Sequence, residues 1–475
     1  MLFLEGVQNL GRVTAPIFKE HLGRNAVLKC KTKRYVHSSC ALTAKLKDPP
    51  GVKKPPDGLP VFQYIGKHTK RVNKIFVWGN AVTGALGIPD FLNPPPRKRV
   101  RKHQTVPYCL QDFSQEARTV SCGYGFTVLT SSKERGKVWG TGVNTDSQLG
   151  LQKAVKSTHE GASAIVLDYV IAPAPVDLPL AQLQETQVLQ VACGRAHTLI
   201  LTDGEGVFSL GNNAYGQCGR PVVEKEDYRG SPQVNKVNVK GKVKQLAAGL
   251  DHSLFLTEDG EVYSCGWGAD GQTGLGHYKT EHQPTRLLGD IEGEKITQVA
   301  TFADCCLAVS EKGDLFGWGN SEYNQLASVT DTTQVNIPRL LPFDYIGKAV
   351  QVAVGGTICA VLNNQGQVYV WGYGILGKGP KLDETPIPEQ LPEALFGRND
   401  FNPDVTVKEV KAGLNCFAAV TTIGDLYTWG VNKHGCLGLG HQKDQYFPWR
   451  VSLPGEVLSV DCGVDHMVAV IKSLL

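Results

Sequence analysis

Nothing in this 475-residue chain stays apolar for long. No hydrophobic run approaches the roughly 18 residues that a membrane-spanning helix needs, so no such helix is expected. Paired CxxC and HxxxH spacings are missing, which argues against zinc. No segment keeps a helical period over the usual helix length. No Ser-His-Asp set and no paired carboxylates can be assigned from spacing, so nothing marks covalent catalysis. The 13 cysteines are an odd number, and Cys122, Cys193, Cys265 and Cys462 fall at repeat positions. They read as small buried residues of a reducing compartment, not as a disulfide frame. No metal and no cofactor is called for.

What is abundant is glycine, 53 residues of it, in a recurring phrase. "VACGRAHTLILTDGEGVFSLGNNAYGQCG" from Val191 returns as "AAGLDHSLFLTEDGEVYSCGWGADGQTGLG" and "KAGLNCFAAVTTIGDLYTWGVNKHGCLGLG". The glycine closing the second apolar run falls at Gly79, Gly140, Gly211, Gly266, Gly319, Gly372 and Gly430, spaced 61, 71, 55, 53, 53 and 58 residues apart. Self-similarity at such a period means an array of small supersecondary units. Each unit reads as short strands, such as "HTLILT" and "VFSL", joined by Asp-Gly or Gly-Gly turns that supply positive φ. Small repeated sheets must bury their faces against neighbours, and radial closure leaves only short edges.

The ends of the array set its count. Seven inner "ACG" phrases run from Cys122 to "VDCGVDHMVAVI", and seven outer "WG" phrases begin at "IFVWGNAVTGALG". The first outer phrase has no inner partner, and the last inner phrase has no outer one. Together they complete one unit, which removes the open edges that invite aggregation. The predicted class is all-β, a seven-bladed β-propeller closed by pairing of N- and C-terminal strands.

Three features invite a chemical reading. His197, His252 and His466 share one repeat position, which favours structural histidines bonded to neighbouring backbone over a single functional one. "GYGILGKG" from Gly372 satisfies GxGxxG, but the prolines of "PKLDETPIPEQLP" deny the helix a phosphate cradle needs. The spacer "NPPPRKRVRKHQ" gathers Arg97, Lys98, Arg99, Arg101 and Lys102 beside a proline run. It reads as a phosphate-backbone contact, a nuclear-import patch or a solvated loop. Three other long spacers, starting at Leu151, Arg220 and Gly379, carry no catalytic signature.

Charge divides the chain. Residues 1–58 hold 11 Lys or Arg against 4 Asp or Glu; the remainder holds 49 − 11 = 38 against 45 − 4 = 41. The basic segment 1–40 is punctuated by apolar residues and resembles a mitochondrial presequence, with "KRYVHSS" as a processing region; the alternative is a disordered basic tail. A Pro/Lys-rich linker, 41–60, precedes a propeller over 61–475.

The doublet of "ACGxxH" and "GxVYSWGxNxxGQLG" resembles the repeat of the regulator of chromosome condensation family, over residues 72–475. The pieces "GWGADGQTGLGHY", "GWGNSEYNQLASVTD", "GYGILGKGP" and "DQYFPWRV" are similar to those of a mitochondrial member. The resemblance implies guanine-nucleotide exchange by binding a GTPase, without covalent chemistry. It assigns Asp251 of "GLDHSLF" to the face toward the GTPase, with a turn-capping role as the alternative. The family's His in the fifth inner phrase is missing here, where Thr357 stands nearby, and the third outer hairpin is of ordinary length. Both departures argue against the nuclear transport GTPase. The mitochondrial likeness implies instead the dynamin-like inner-membrane fusion GTPase, with the protein in the matrix or peripheral to the inner membrane. It also implies an alternative, binding of large-subunit ribosomal RNA within a pseudouridine-synthase module that supports mitoribosome assembly; a third reading is a propeller that only joins proteins.

A chain lacking residues 1–40 should fold but remain outside mitochondria. Import assays on isolated organelles check this, and matrix delivery of the truncated chain would contradict the presequence reading.

Overall fold

The computed structural model describes residues 72–473 except 112, 114–116, 159 and 160, with backbone alone for 155–164. The presequence and linker expected over 1–60 lie outside the described residues.

Seven four-stranded antiparallel sheets form the blades, and their innermost strands surround an axial cavity of about 300 Å³. Blades 1 to 6 begin with the innermost strands Ala117–Cys122, Val188–Cys193, Val243–Ala248, Ile296–Thr301, Ala349–Val354 and Val407–Ala412. Each then runs outward in chain order. Blade 7 takes its inner strands Gly455–Cys462 and His466–Ser473 from the end of the chain, and its outer strands Asn73–Asn80 and His103–Cys109 from the beginning. The closing ladder pairs Asn73 with Lys472 through to Gly79 with His466. The expected latch between the chain ends is present.

Burial follows radial position. The second strands, such as His197–Thr202 and Cys305–Ser310, are buried at every residue because a blade packs on each face. That is why they read as continuous apolar runs rather than alternating ones. The outermost strands face solvent, as in Glu281–Arg286 and Gln445–Arg450, and several carry the prolines that blunt an edge. The 11 described cysteines are all unpaired, and all but Cys109 are buried.

The glycine that ends each third strand is dictated by backbone geometry. Gly79, Gly142, Gly211, Gly266, Gly319, Gly372 and Gly430 all have φ between 96° and 116°. A Cβ there would also strike the carbonyl preceding the second strand, for instance that of Ala196 against Gly211. Only glycine meets both demands. In blade 1 the equivalent residue is Gly142, which pairs with Phe126, and not the Gly140 of the sequence alignment. A shift of two residues keeps the same sheet face, so the alternation alone could not reveal it.

Adjacent blades are stapled by side chains at repeat positions. Gln190, Gln245 and Gln298 each donate to and accept from the next blade's innermost strand, at 2.7–3.0 Å. Trp318 and Trp371 donate through Nε1 to Gln272 O and Gln325 O of the preceding blade. Trp78 does the same to Cys436 O at 2.8 Å, across the closure.

The histidines are structural, but their partners are side chains and not backbone. His197 Nε2 meets Ser253 Oγ at 3.1 Å, His252 Nε2 meets Cys306 Sγ at 3.2 Å, and His466 Nε2 meets Thr127 Oγ1 at 2.9 Å. Each partner lies on the second strand of the next blade. The glycine three residues earlier makes room, since a Cβ on Gly194 or Gly249 would overlap the following imidazole. In blade 4 both members change together, with Phe302 in the glycine position and Cys305 in the histidine position. Burial lowers the pKa of His197 and of His252 from 6.5 to about 3.

Two expectations follow. Deleting residues 1–80 strips His466–Ser473 of its partner and exposes the surface that buries Ile75, Phe76, Val77 and Trp78. At about 1.5–3 kcal/mol per large apolar side chain, the thermal midpoint should fall by many degrees. Deleting 1–54 should leave it in place, and equal midpoints would contradict the shared blade. The histidines set a pH dependence. Their folded-state pKa is depressed, so between pH 6.5 and 3 the unfolded chain binds more protons. Their contribution is whole above pH 6.5 and is lost as pH falls, by about 1.4 kcal/mol per unit for each ring. His197→Gln should flatten the fall of the midpoint between pH 6.5 and 4; an unchanged slope would contradict burial of the neutral ring.

Candidate partner-binding face

Antiparallel succession sends two sets of connections to the same end of the propeller. One set joins innermost to second strands, and the other joins third to outermost strands. Asp251 belongs to the first set in blade 3, and the cation loop to the second set in blade 7, between Asn80 and His103. The hairpin of Lys153–Thr158 and Gly161–Val166 lies at this end, as does the connection 212–233. Arg229 of that connection pairs with Asp168 at 2.7 Å, and Ser147 Oγ donates to Tyr228 O, which docks it on blade 1. The opposite end carries tight turns and exposed ion pairs between successive strands, such as Lys242–Glu258 and Lys295–Glu311. There the spacer after Gln390 forms a turn whose Phe396 packs on Tyr427 and Trp429.

In the cation loop Arg97, Lys98, Arg99, Arg101 and Lys102 are exposed, and no carboxylate pairs with them among the described residues. Arg101 is committed locally. Its guanidinium lies 4.6 Å from the Phe91 ring centroid, and Nη1 donates to Gln104 Oε1 at 2.8 Å. The other four make no such local contact among the described residues. His103, at the end of the loop, stacks on His434 with ring centroids 4.8 Å apart. At Gly372 the glycine-rich stretch is a hairpin that leads into strand Glu384–Gln390, with no helix following.

Asp251 is 8 % exposed. Arg195 clamps it, Nη2 to Oδ2 at 2.5 Å and Nε to Oδ1 at 3.2 Å, and Gln217 donates to Oδ1 at 3.4 Å. Burial raises its pKa above the ordinary value, against the lowering effect of Arg195. The equivalent residue of blade 4, Asp304, accepts from Gln272 at 2.9 Å, and burial lifts its pKa to about 6. In blade 7 Asp465 accepts from Asn80 at 2.6 Å. A carboxylate at this position therefore has a turn-bracing role in three blades. The sites suggested by sequence share one end of the molecule, but they are separate features of it.

Two features escaped the motifs. Tyr124 and Phe302, from blades 1 and 4, stack at 5.6 Å across the loops of this end. The Tyr124 hydroxyl is buried without a hydrogen-bond partner among the described residues. Arg195 carries half of its side-chain surface exposed. Lining up the seven inner loops isolates it, because the equivalent residues are Tyr124, Leu250, Ala303, Gly356, Leu414 and Val464.

Comparison with known proteins accords with this architecture. The chain is 56% identical over 429 residues to the RCC1-like G exchanging factor-like protein of Mus musculus, spanning 88% of this chain and 91% of that one. The Homo sapiens protein of the same name is also 56% identical over 429 residues, spanning 88% and 90%. The crystal structure of human WBSCR16 matches with a TM-score of 0.79 at 56% identity, covering 85% of this chain and 100% of that one. Residues 74–469 match the RCC1-like domain, and the chain belongs to that family.

Proposed function

We propose that this protein is a mitochondrial guanine-nucleotide exchange factor for the dynamin-like inner-membrane fusion GTPase. The observation that carries the reading is the 56% identity, across most of the chain, to relatives named as G exchanging factor-like. Exchange suits what the face offers. Exchange asks for binding alone, and the long connections of blades 7, 1 and 2 give a partner a broad surface to meet. A propeller acts here by binding. If it holds the nucleotide-free GTPase more tightly than the loaded form, it shifts that population and GDP leaves. The coupling is reciprocal, so GDP must loosen the propeller as much as the propeller loosens GDP. The basic leader supports a mitochondrial address, in the matrix or peripheral to the inner membrane. No helix among the described residues is long and apolar enough to cross a membrane.

A second reading rests on a separate observation, the four exposed cations Arg97, Lys98, Arg99 and Lys102. They suit contact with the phosphates of large-subunit ribosomal RNA, in a scaffold shared with pseudouridine synthases.

Two measurements separate the readings. The full chain should lower GDP affinity of the purified GTPase by about 5–150-fold, the ordinary range of a coupling free energy. No change would remove the exchange reading for that GTPase. Reversing Arg97, Lys98, Arg99 and Lys102 to Glu should leave GDP release intact. If the loop contacts RNA, the same changes should flatten the log–log salt dependence of single-strand binding by about 0.7 per lost phosphate contact. An unaltered slope would remove the RNA reading at this loop.

A further inference from the structure

We propose that Arg195, not Asp251, is the charged docking contact of this face, taking a carboxylate of the GTPase, and that Asp251 is the residue that positions it. The proposal rests on the exchange reading and adds the residue and the chemistry it recognises.

Asp251 has 11% of its side-chain surface exposed against 51% for Arg195, which lies over it. Both Asp251 oxygens are already engaged, Oδ2 by Arg195 Nη2 and Oδ1 by Arg195 Nε and Gln217 Nε2. A partner cannot reach the carboxylate without first displacing the guanidinium. The guanidinium has donors to spare. Asp251 uses Nε and one proton of Nη2, which leaves the outward edge built on Nη1 for a second planar acceptor.

The setting is stiff. The Arg195 amide donates to Leu250 O at 3.1 Å, and the Trp267 amide donates to Asp251 O at 2.8 Å, so backbone bonds tie both loops. An exposed arginine ordinarily loses rotamer freedom on docking; here the carboxylate has already removed it. A partly buried ion pair adds little net stability, so positioning is the better account of its presence.

The surroundings select the partner. In a repeat array, function lies where one copy departs from the others. Arg195 is the single charged residue among seven equivalents, and Tyr124, Leu250, Leu414 and Val464 among them are half-buried. An arginine within an apolar and aromatic collar has the composition of a protein-interface hot spot. Phosphate fits less well. One cation shared with Asp251, with Asp304 in the neighbouring blade, is a poor match for a polyanion. Because the Arg195–Asp251 pair is neutral as a whole, the contact acts at short range, through hydrogen bonds, with little dependence on salt.

The test uses the full chain and the dynamin-like GTPase, with the propeller concentration varied, and reads binding to the nucleotide-free form beside GDP release from the loaded one. Arg195→Ala should raise the half-saturating concentration about tenfold to a hundredfold, the range for one hydrogen bond to a charged group. Arg195→Ala leaves the buried Asp251 without its cation and should lower the thermal midpoint, so binding is read well below it; adding Asp251→Asn, which removes the unpaired charge, should recover the midpoint. Arg195→Lys should fail to restore binding, since an ammonium cannot reproduce the fork. Asp251→Asn should weaken binding less, and Asp251→Asn with Arg195→Ala should be no worse than Arg195→Ala alone. Additive losses would mean that Asp251 meets the partner itself, and would overturn the proposal. Binding by the unaltered chain that Arg195→Ala leaves unchanged would overturn this contact while sparing the exchange reading. Failure of the unaltered chain to bind the GTPase would overturn both. A single-stranded RNA probe completes the set: loss of RNA binding in Arg195→Ala, with GTPase binding intact, would make the ligand a phosphate and overturn the carboxylate.

Discussion

The rest of the molecule depends on one ladder, the pairing of Asn73–Gly79 with His466–Lys472. Every second strand is apolar on both sides, so every blade needs a neighbour on each face. An open row of seven blades would leave two such faces in water, each the size of a full inter-blade core. Closing the row removes both. The ladder that does so joins residues nearly 400 positions apart in sequence, and loop-closure entropy for such a span grows only logarithmically with length. The blade-to-blade staples then cross the seam as they cross other junctions. Trp78 reaches back to Cys436, and His466 reaches forward to Thr127.

Much of this was legible because the chain states it repeatedly. Glycine at the end of the third strand recurs for a backbone reason, and glycine before the histidine recurs for a packing reason. Repetition exposed the blade count and the latch. It exposed register less well. Blade 1 offers Gly140 and Gly142 two residues apart on one strand, and only the pairing of Gly142 with Phe126 separates them. Partners across blades were also hidden. His197 and Ser253 stand 56 residues apart, as do Arg195 and Asp251, and neither member of either pair marks the other in the sequence. The backbone partner expected for the histidines was the local choice; the actual partners belong to the adjacent repeat.

The two ends of the propeller show how a symmetric scaffold becomes one-sided. At one end, the turns from second to third strand are short, and pairs such as Lys312–Glu294 and Lys295–Glu311, individually weak, lace neighbouring connections. At the other, successive blades 7, 1 and 2 carry enlarged connections, and the inner loops depart from one another in chemistry. Tight turns hold strands together and tolerate little change, whereas long connections can be altered without touching the core. The division of labour follows from strand direction alone, because all enlarged third-to-outermost connections must emerge at the same end.

Charge sharpens the argument about what this face does. The formal +4 of the chain is carried by residues 1–58, and the rest is −3. A body of that balance has no broad positive field to draw a polyanion from a distance. Electrostatic attraction then has to be local, and two local arrangements exist. The cation loop offers exposed charges with no carboxylate partner among the described residues, able to meet phosphates, on a segment tied at its ends by Arg101 on Phe91 and by backbone bonds from Arg101 N to Phe91 O and from Ala81 N to Lys102 O. Arg195 offers one charge held in place by a buried carboxylate and backbone bonds to its neighbours. The first suits a flexible polyanion that brings its own adaptability. The second suits a folded partner with one acceptor at a fixed place, because a contact whose ordering is complete before encounter leaves more of its interaction free energy for discrimination between the partner's states. An exchange factor needs that discrimination more than it needs affinity, since tight binding to loaded and empty forms alike would shift nothing.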